Sequence, residues 1–379
     1  MRTPEPAMSQ AFKPPVGRVL LTTDAVGGVW QYALDLARFY CRHGVEVVLA
    51  VLGPEPSQDK RTEAGLVGGL DLRVTGLPLE WMGPSPNELT EAARELSRLA
   101  TDSGADIAHV SNPALIAGAG WTVPVVATLH SCVGTWWQAM RPDEPMPDDF
   151  RWRVDRIGAG LAAATLATAP SGAFAGDAAR IYRGVDFRVI HNGRDGTAFS
   201  RLDMPRIGAF TSGRLWDEAK NVRVIDLAAR EFGLPIFAAG PLEGPHGVAQ
   251  LFPHLQVLGP LPNVKVRQRL ATTAVYVSTA FYEPFGLGVL EAAQSGCALV
   301  LSDIGSFREL WGGAALFVDP HQPGAVAEAL NTLSRDEKMR RKLATAAQER
   351  AGRYTTKRMA MQTLAAYAEA MGERQAGAA

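Results

Sequence analysis

Short, nearly uncharged, β-branched runs alternate with helical stretches from Arg18 to Val318, and this alternation constrains the fold more than any other feature. In the first half the strand candidates are Arg18–Thr22, Val45–Val51, Leu72–Thr75, Ile107–Val110, Val125–Leu129, Ala164–Ala167 and Phe187–Ile190. In the second half they are Ala209–Thr211, Ile236–Ala238, Leu255–Leu258, Val275–Ser278, Ala298–Leu301 and Ala315–Val318. Strands that are apolar on both faces belong in parallel sheets covered by helices. Trp30–His43, Glu88–Ser103 and Pro323–Leu333 supply helical patterns between them. The alternation predicts doubly wound α/β sheets. So many strands exceed one ordinary domain, and 379 residues suit two.

The expected division is a Pro-rich, polar, disordered lead-in over 1–17, one Rossmann-like domain over 18–200 and a second over 201–354. The break falls near Thr197–Arg206. A closing helix over 355–379 has Met359, Leu364 and Tyr367 as its apolar positions. Ligands of open parallel sheets bind outside the carboxyl ends of the strands. Two such sheets facing each other make a cleft, and the informative residues should follow strands.

Charge narrows the partners. The net charge is −1, and the halves 1–200 and 201–379 carry −4 and +3, which lacks the concentrated basic surface of a nucleic-acid binder. No apolar run reaches the roughly 18–20 residues of a spanning helix, and the first fifteen residues lack the apolar core of a signal peptide. Cys41, Cys132 and Cys297 show no metal-ligand spacing, so buried thiols in a reduced, cytoplasmic setting are expected. Arg151-Trp152-Arg153, with Arg156 and Leu161–Leu166, could form a basic amphipathic face for peripheral contact with the inner membrane. An ordinary helix packed on a sheet is the alternative.

Four segments carry candidate chemistry. Asp24-Ala25-Val26-Gly27-Gly28-Val29-Trp30 joins the first strand to the first helix. Gly27 and Gly28 admit a ligand close to the backbone, and the helix start presents N–H groups to an anion. A plain tight turn is the alternative. His130 follows the strand Val125–Leu129 and could bond a sugar hydroxyl or phosphate, or be structural. In Ser212–Asn221, Arg214 and Lys220 suit a diphosphate, unless Asp217 and Glu218 pair with them.

The fourth segment runs from Tyr282 to Ala293. Pro284 suits a first helical turn, which would aim the amides of Phe285, Gly286 and Leu287 outward. The following helix is apolar nearly all round, so Glu291 needs a partner, either a ligand hydroxyl or an internal cation. Eight helical residues span roughly 12 Å. That separation is too large for glycosidase carboxylates, which sit about 5–9.5 Å apart. Trp136 and Trp137 could stack on an acceptor sugar or pack under a loop.

Glu283 and Glu291 form Glu-x7-Glu inside E-P-F-G-L-x-x-L-E-A. With S-G-R-L…K-N, the V-G-G-V turn and H-N-G-R-D at His191–Asp195, the chain resembles the retaining glycosyltransferases of the two-domain GT-B fold, family 4 or group 1. The resemblance covers roughly Arg18–Leu330 and implies a nucleotide-diphosphate sugar as donor co-substrate, with no cofactor and no catalytic metal. It implies a sugar or lipid-linked sugar as acceptor. By resemblance, Arg214 and Lys220 bind the diphosphate, with Gly27 and Gly28 closing on it. Glu291 binds the ribose, and Glu283 and His130 lie at the transferred sugar. The amides of Phe285, Gly286 and Leu287 contact the sugar and phosphate. The implied activity is hexosyl transfer with retention, as in polysaccharide biosynthesis. A sugar-nucleotide epimerase of like architecture and a non-enzymatic sugar-binding protein are the rivals. The chain departs from the family in an Arg-to-Lys spacing of six and in Arg194, where a small apolar residue is commoner. Gly259–Pro262 is the expected, motif-free base pocket.

Overall fold

The computed structural model describes residues 13–196, 206–244, 247 and 249–377, with backbone alone for 374–377. Residues 1–12, and nearly all of the expected break at 197–206, lie outside the described residues. The strands are β1 Arg18–Asp24, β2 Glu46–Leu52, β3 Leu70–Val74, β4 Ile107–Val110, β5 Val125–Thr128, β6 Leu166–Ala169, β7 Phe187–Val189, β8 Ile207–Ser212, β9 Ile236–Ala239, β10 Gln256–Gly259, β11 Thr273–Ser278, β12 Ala298–Ser302 and β13 Leu316–Val318. The helices are α1 Val29–Arg42, α2 Gln58–Gly65, α3 Pro86–Asp102, α4 Val133–Met140, α5 Asp148–Ala163, α6 Gly172–Ile181, α7 Val222–Ala229, α8 Asn263–Thr272, α9 Leu287–Gln294, α10 Gly305–Trp311, α11 Pro323–Arg335, α12 Glu337–Ala351 and α13 Thr356–Gly377.

Two all-parallel sheets result, ordered β3-β2-β1-β4-β5-β6-β7 and β10-β9-β8-β11-β12-β13. In each, the first strand in sequence lies inside the sheet and the order reverses beside it. The crevice at a doubly wound sheet's switch point therefore opens after β1 and β4 in one half and after β8 and β11 in the other. Each expected strand has its counterpart. β6 starts two residues later than expected, because α5 runs on through Ala163 and an alanine-rich stretch carries no β-branched signal to mark the change.

Each sheet is covered on both faces. Leu20, Val48, Leu89, Leu96, Val110 and Phe174 belong to one apolar cluster of the first half, and Leu21, Leu36, Tyr40, Val47 and Val126 to the opposite one. Val16 joins the second cluster at 5% exposure, so the packed body starts inside the stretch expected to be a disordered lead-in. The second cluster is completed by Met359, Leu364, Tyr367 and Ala370 of α13, a helix that follows the second sheet in sequence and packs on α1.

On the Asp148–Ala163 helix, Trp152 packs on the core, Arg156 Nε donates to the Ala114 carbonyl at 2.8 Å and Arg153 is largely buried beside Asp149, while Arg151 stays exposed beside Asp148. Three of the four residues expected on a basic amphipathic face are thus engaged with the fold. Among the described residues no helix is long and apolar enough to cross a membrane.

Candidate active site

At the end of β1 the Asp24 carboxylate accepts from the amides of Val26 (2.7 Å) and Gly27 (3.1 Å). This Asx-type turn fixes the chain's entry into α1. It also engages the Gly27 amide. Gly28 caps α1, whose first amides lack helical partners. The glycines matter for closeness: a Cβ on Gly27 would lie 3.1 Å from Arg214 Nη1, and one on Gly28 would lie 3.2 Å from Leu287 Cδ1. The turn after β1 therefore meets both second-half motifs.

In the loop after β8, Asp217 Oδ2 accepts from Arg214 Nη2 (2.8 Å) and Nε (3.2 Å), leaving Nη1 on the Gly27 side. Glu218 is taken by Arg141 from across the cleft (2.9 Å). A short 3-10 turn, Glu218–Lys220, and the left-handed Asn221 (φ 52°) carry Lys220 Nζ to 2.6 Å from Glu283 Oε2. The six-residue Arg-to-Lys spacing thus still brings the cation to the first glutamate of the motif. Asn221 is buried, and its amide donates to the carbonyls of Thr279 (2.9 Å) and Pro320 (2.7 Å).

The segment after β11 differs from expectation. Pro284 is not in a first helical turn. Gly286 is left-handed (φ 87°) and caps α9, which begins at Leu287, so the exposed amides start one to two residues later than expected. The reason is packing: Phe285 is buried in the second-half core against His191 and Tyr354, and Pro284 offers its carbonyl to Ser171 Oγ of the first half at 2.6 Å. Because Glu283–Gly286 is not helical, the 12 Å estimate for the two glutamates loses its basis. Glu291 Oε1 lies 2.8 Å from Arg194 Nε, so the cation that its burial demanded is internal.

His130 follows β5, and its ring meets Tyr32 edge-on at 4.5 Å. Its Nε2 is buried without a hydrogen-bond partner, and burial pulls its pKa down to about 4, so the ring is neutral at pH 7. Nearby His109 is pulled down to about 3 by burial and the neighbouring His130. Its partners are the hydroxyls of Tyr367 (2.7 Å) and Thr128 (2.6 Å).

Comparison with known proteins decides the family. The model "Glycosyltransferase Family 4" matches residues 26–197, and "Glycosyl transferases group 1" matches 249–350; together they cover most of the chain. The chain belongs to the family 4, group 1 glycosyltransferases. It is 24% identical to a D-inositol 3-phosphate glycosyltransferase of Nocardioides over 93% of this chain and 87% of that protein. It is 27% identical to a D-rhamnosyltransferase of Pseudomonas aeruginosa over 56% of this chain and 59% of that one. Among solved structures, sucrose-phosphate synthase from Thermosynechococcus elongatus superposes with TM-score 0.77 at 16% identity, over 94% of this chain and 99% of that one. Anabaena HepE in complex with UDP and glucose superposes at 0.71 and 18% identity, over 93% and 99%. These likenesses establish the GT-B arrangement of the two parallel sheets.

In this glycosyltransferase both tryptophans are half-buried. Trp137 packs against Phe150 (5.4 Å) and donates from Nε1 to the Glu144 carbonyl (3.0 Å). Trp136 keeps a half-buried ring with the Arg141 guanidinium 5.9 Å from its centre. Beyond the end of α4, a cleft of about 830 Å³ opens between Met140 and Arg141 on one side and Trp216, Asn221, Phe281 and His321 on the other.

Gly259–Pro262 starts at the last residue of β10, on the edge of the second sheet, with Gly259 left-handed (φ 68°). Cys132 and Cys297 are buried and Cys41 half-buried, all as free thiols.

Several site residues had no sequence signal of their own. The Tyr282 hydroxyl bonds Thr135 Oγ1 (2.7 Å) and accepts from the Cys132 amide (3.3 Å) in the first half. Glu309 accepts from the amides of Gly172 (2.9 Å) and Ala173 (2.6 Å) at the start of α6. Tyr282 sits inside the fourth motif, but nothing in a sequence tells which neighbour of a glutamate turns to the other domain.

Proposed function

We propose that the enzyme transfers a hexosyl group, with retention and without a metal, from a nucleotide-diphosphate sugar to a sugar or lipid-linked sugar. The observation that carries this reading is convergence: Gly27 lies beside Arg214, Gly28 beside Leu287, and Lys220 on Glu283, at the switch points of two facing sheets. The Anabaena HepE structures, which hold UDP and glucose or UDP-glucose, support a nucleotide-sugar donor.

Bond cleavage between the sugar and the diphosphate leaves negative charge on the leaving oxygen. Arg214 Nη1 and Lys220 supply the compensating cations, and the unpaired amides at the start of α9 add N–H donors. The neutral His130 ring offers Nε2 to a hydroxyl of the transferred sugar, and Glu283 orients that sugar through its own pairing with Lys220. Glu291 accepts from the ribose. The acceptor enters by the cleft beside Trp136 and Arg141, whose volume fits one or two sugar rings.

The test is a thermal-shift and turnover screen with UDP-, GDP- and ADP-sugars of glucose and mannose, with and without EDTA. At least one donor should raise the Tm by mass action, EDTA should leave turnover unchanged, and the product should keep the donor's anomeric configuration by NMR. Glu283→Gln should lower turnover at least about 100-fold while nucleoside diphosphate binding persists. Protein that neither binds nor turns over any of these donors would end the reading.

A further inference from the structure

Arg194, the residue that departs from the family pattern, sits where the two connections between the halves touch. Its amide donates to the Tyr354 carbonyl (3.2 Å), and residues 194 and 355 form an isolated parallel bridge. Gly193 has no room for a side chain there, since a Cβ would fall 2.2 Å from the Thr355 carbonyl oxygen. The Arg194 carbonyl accepts from Gln294 Nε2 of α9 (3.1 Å).

The guanidinium is 3% exposed and reaches both halves. Nη1 meets Asp35 Oδ2 (2.5 Å) and Gln31 Oε1 (2.9 Å), both on α1. Nε meets Glu291 Oε1 (2.8 Å) on α9. Arg38 holds the other oxygen of Asp35 (3.1 Å) and reaches Glu63 (3.1 Å). Burial opposes the charge on Arg194, but Glu291 and Asp35 outweigh it and hold its pKa above the ordinary arginine value. A buried ion network of this kind is weak evidence for stability, because an apolar trio of similar volume would pack as well. What the network does achieve is specific. Glu291 has one oxygen tied to Arg194 at 16% exposure, and α1 and α9 are joined a second time beyond their Gly28–Leu287 contact.

We propose that Arg194 is a positioning residue for donor recognition: it presents the free oxygen of Glu291 to the nucleotide ribose and couples that contact to α1, whose first turn meets the diphosphate side of the cleft. This rests on the donor reading above.

The test compares binding of UDP, GDP or ADP, whichever the wild type prefers, with binding of its 2′,3′-dideoxy counterpart by calorimetry. A hydrogen bond to a charged group predicts that the wild type favours the ribonucleotide by about 10-fold or more. Arg194→Met should collapse that ratio to near 1, and so should Glu291→Gln. Arg194→Lys, a point charge without the fork, should fall between. A structural role alone would lower the Tm of Arg194→Met and leave the ratio at its wild-type value, which overturns the proposal. So does a wild-type ratio retained by Glu291→Gln, or no preference in the wild type. If Arg194→Met does not fold, Arg194→Lys and Asp35→Asn carry the test; both should reduce the ratio, and retention of it by both defeats the assignment. A wild type that binds no nucleoside diphosphate defeats the donor reading itself, and this assignment with it.

Discussion

At the scale of single residues, the site is built from charged groups that meet their partners inside it. Lys220 and Glu283 satisfy one another at 2.6 Å, and Arg214 shares itself between Asp217 and the Gly27 side of the cleft. The two histidines are held neutral instead, His130 near 4 and His109 near 3, both by burial. A histidine whose folded pKa lies below its unfolded value of about 6.5 binds more protons unfolded. Stability is therefore complete above pH 6.5 and falls as pH drops toward 4, by about 1.4 kcal/mol per pH unit for each histidine. The groups facing this pair are the Tyr32 and Tyr367 hydroxyls and Thr128. Urea titrations at pH 7, 5.5 and 4.5 should show the decline, and His109→Gln should make it shallower. A stability flat across that range would show that the rings are solvated enough to titrate normally.

At the scale of elements, the sheets and most helix starts were legible, with α11 beginning at Pro323 as expected, and the start of α9 was not. Uncharged β-branched runs need burial on both faces, so strand positions follow from composition within a few residues. The start of α9 instead depends on Gly286, whose φ of 87° is open to glycine at little cost. Its absent side chain also makes room, as a Cβ would sit 3.1 Å from the Phe307 ring. Gly286→Ala should cost about 1–3 kcal/mol in guanidinium denaturation and lower donor affinity, because the first amides of α9 shift with it. A variant of wild-type stability would mean the loop relaxes freely. Pro284 misled the sequence reading because proline favours a first turn only when the chain around it is free to begin one. Here Phe285 is drawn into the core and Ser171 holds the Pro284 carbonyl.

At the scale of the whole molecule, the halves are tied by polar contacts around the cleft and by α13 behind it. Glu309 is half-buried, and the amides and His191 that it bonds hold its pKa below the usual glutamate value against its burial. It caps α6 from α10, one half to the other. Glu309→Ala should leave two N–H groups of α6 without that cap. Hydrogen exchange at Gly172 and Ala173 should rise about 10-fold or more, while the sheets exchange as in the wild type. Unchanged exchange there would mean that α6 is held by its own helix and by Ser171 alone.

The sequence by itself determined the two parallel sheets, the closing amphipathic helix and the order of the four motifs, because apolar periodicity and glycine placement act locally. It also singled out Arg194 as unusual, without a reason. Only the tertiary structure decided what each charge meets: that Glu291 answers to Arg194 and that Arg141 reaches Glu218 across the cleft. The partners of a charge lie tens or hundreds of residues away, 97 in the case of Arg194 and Glu291. Local propensity carries no information over that separation; only the packing of one sheet against the other supplies it.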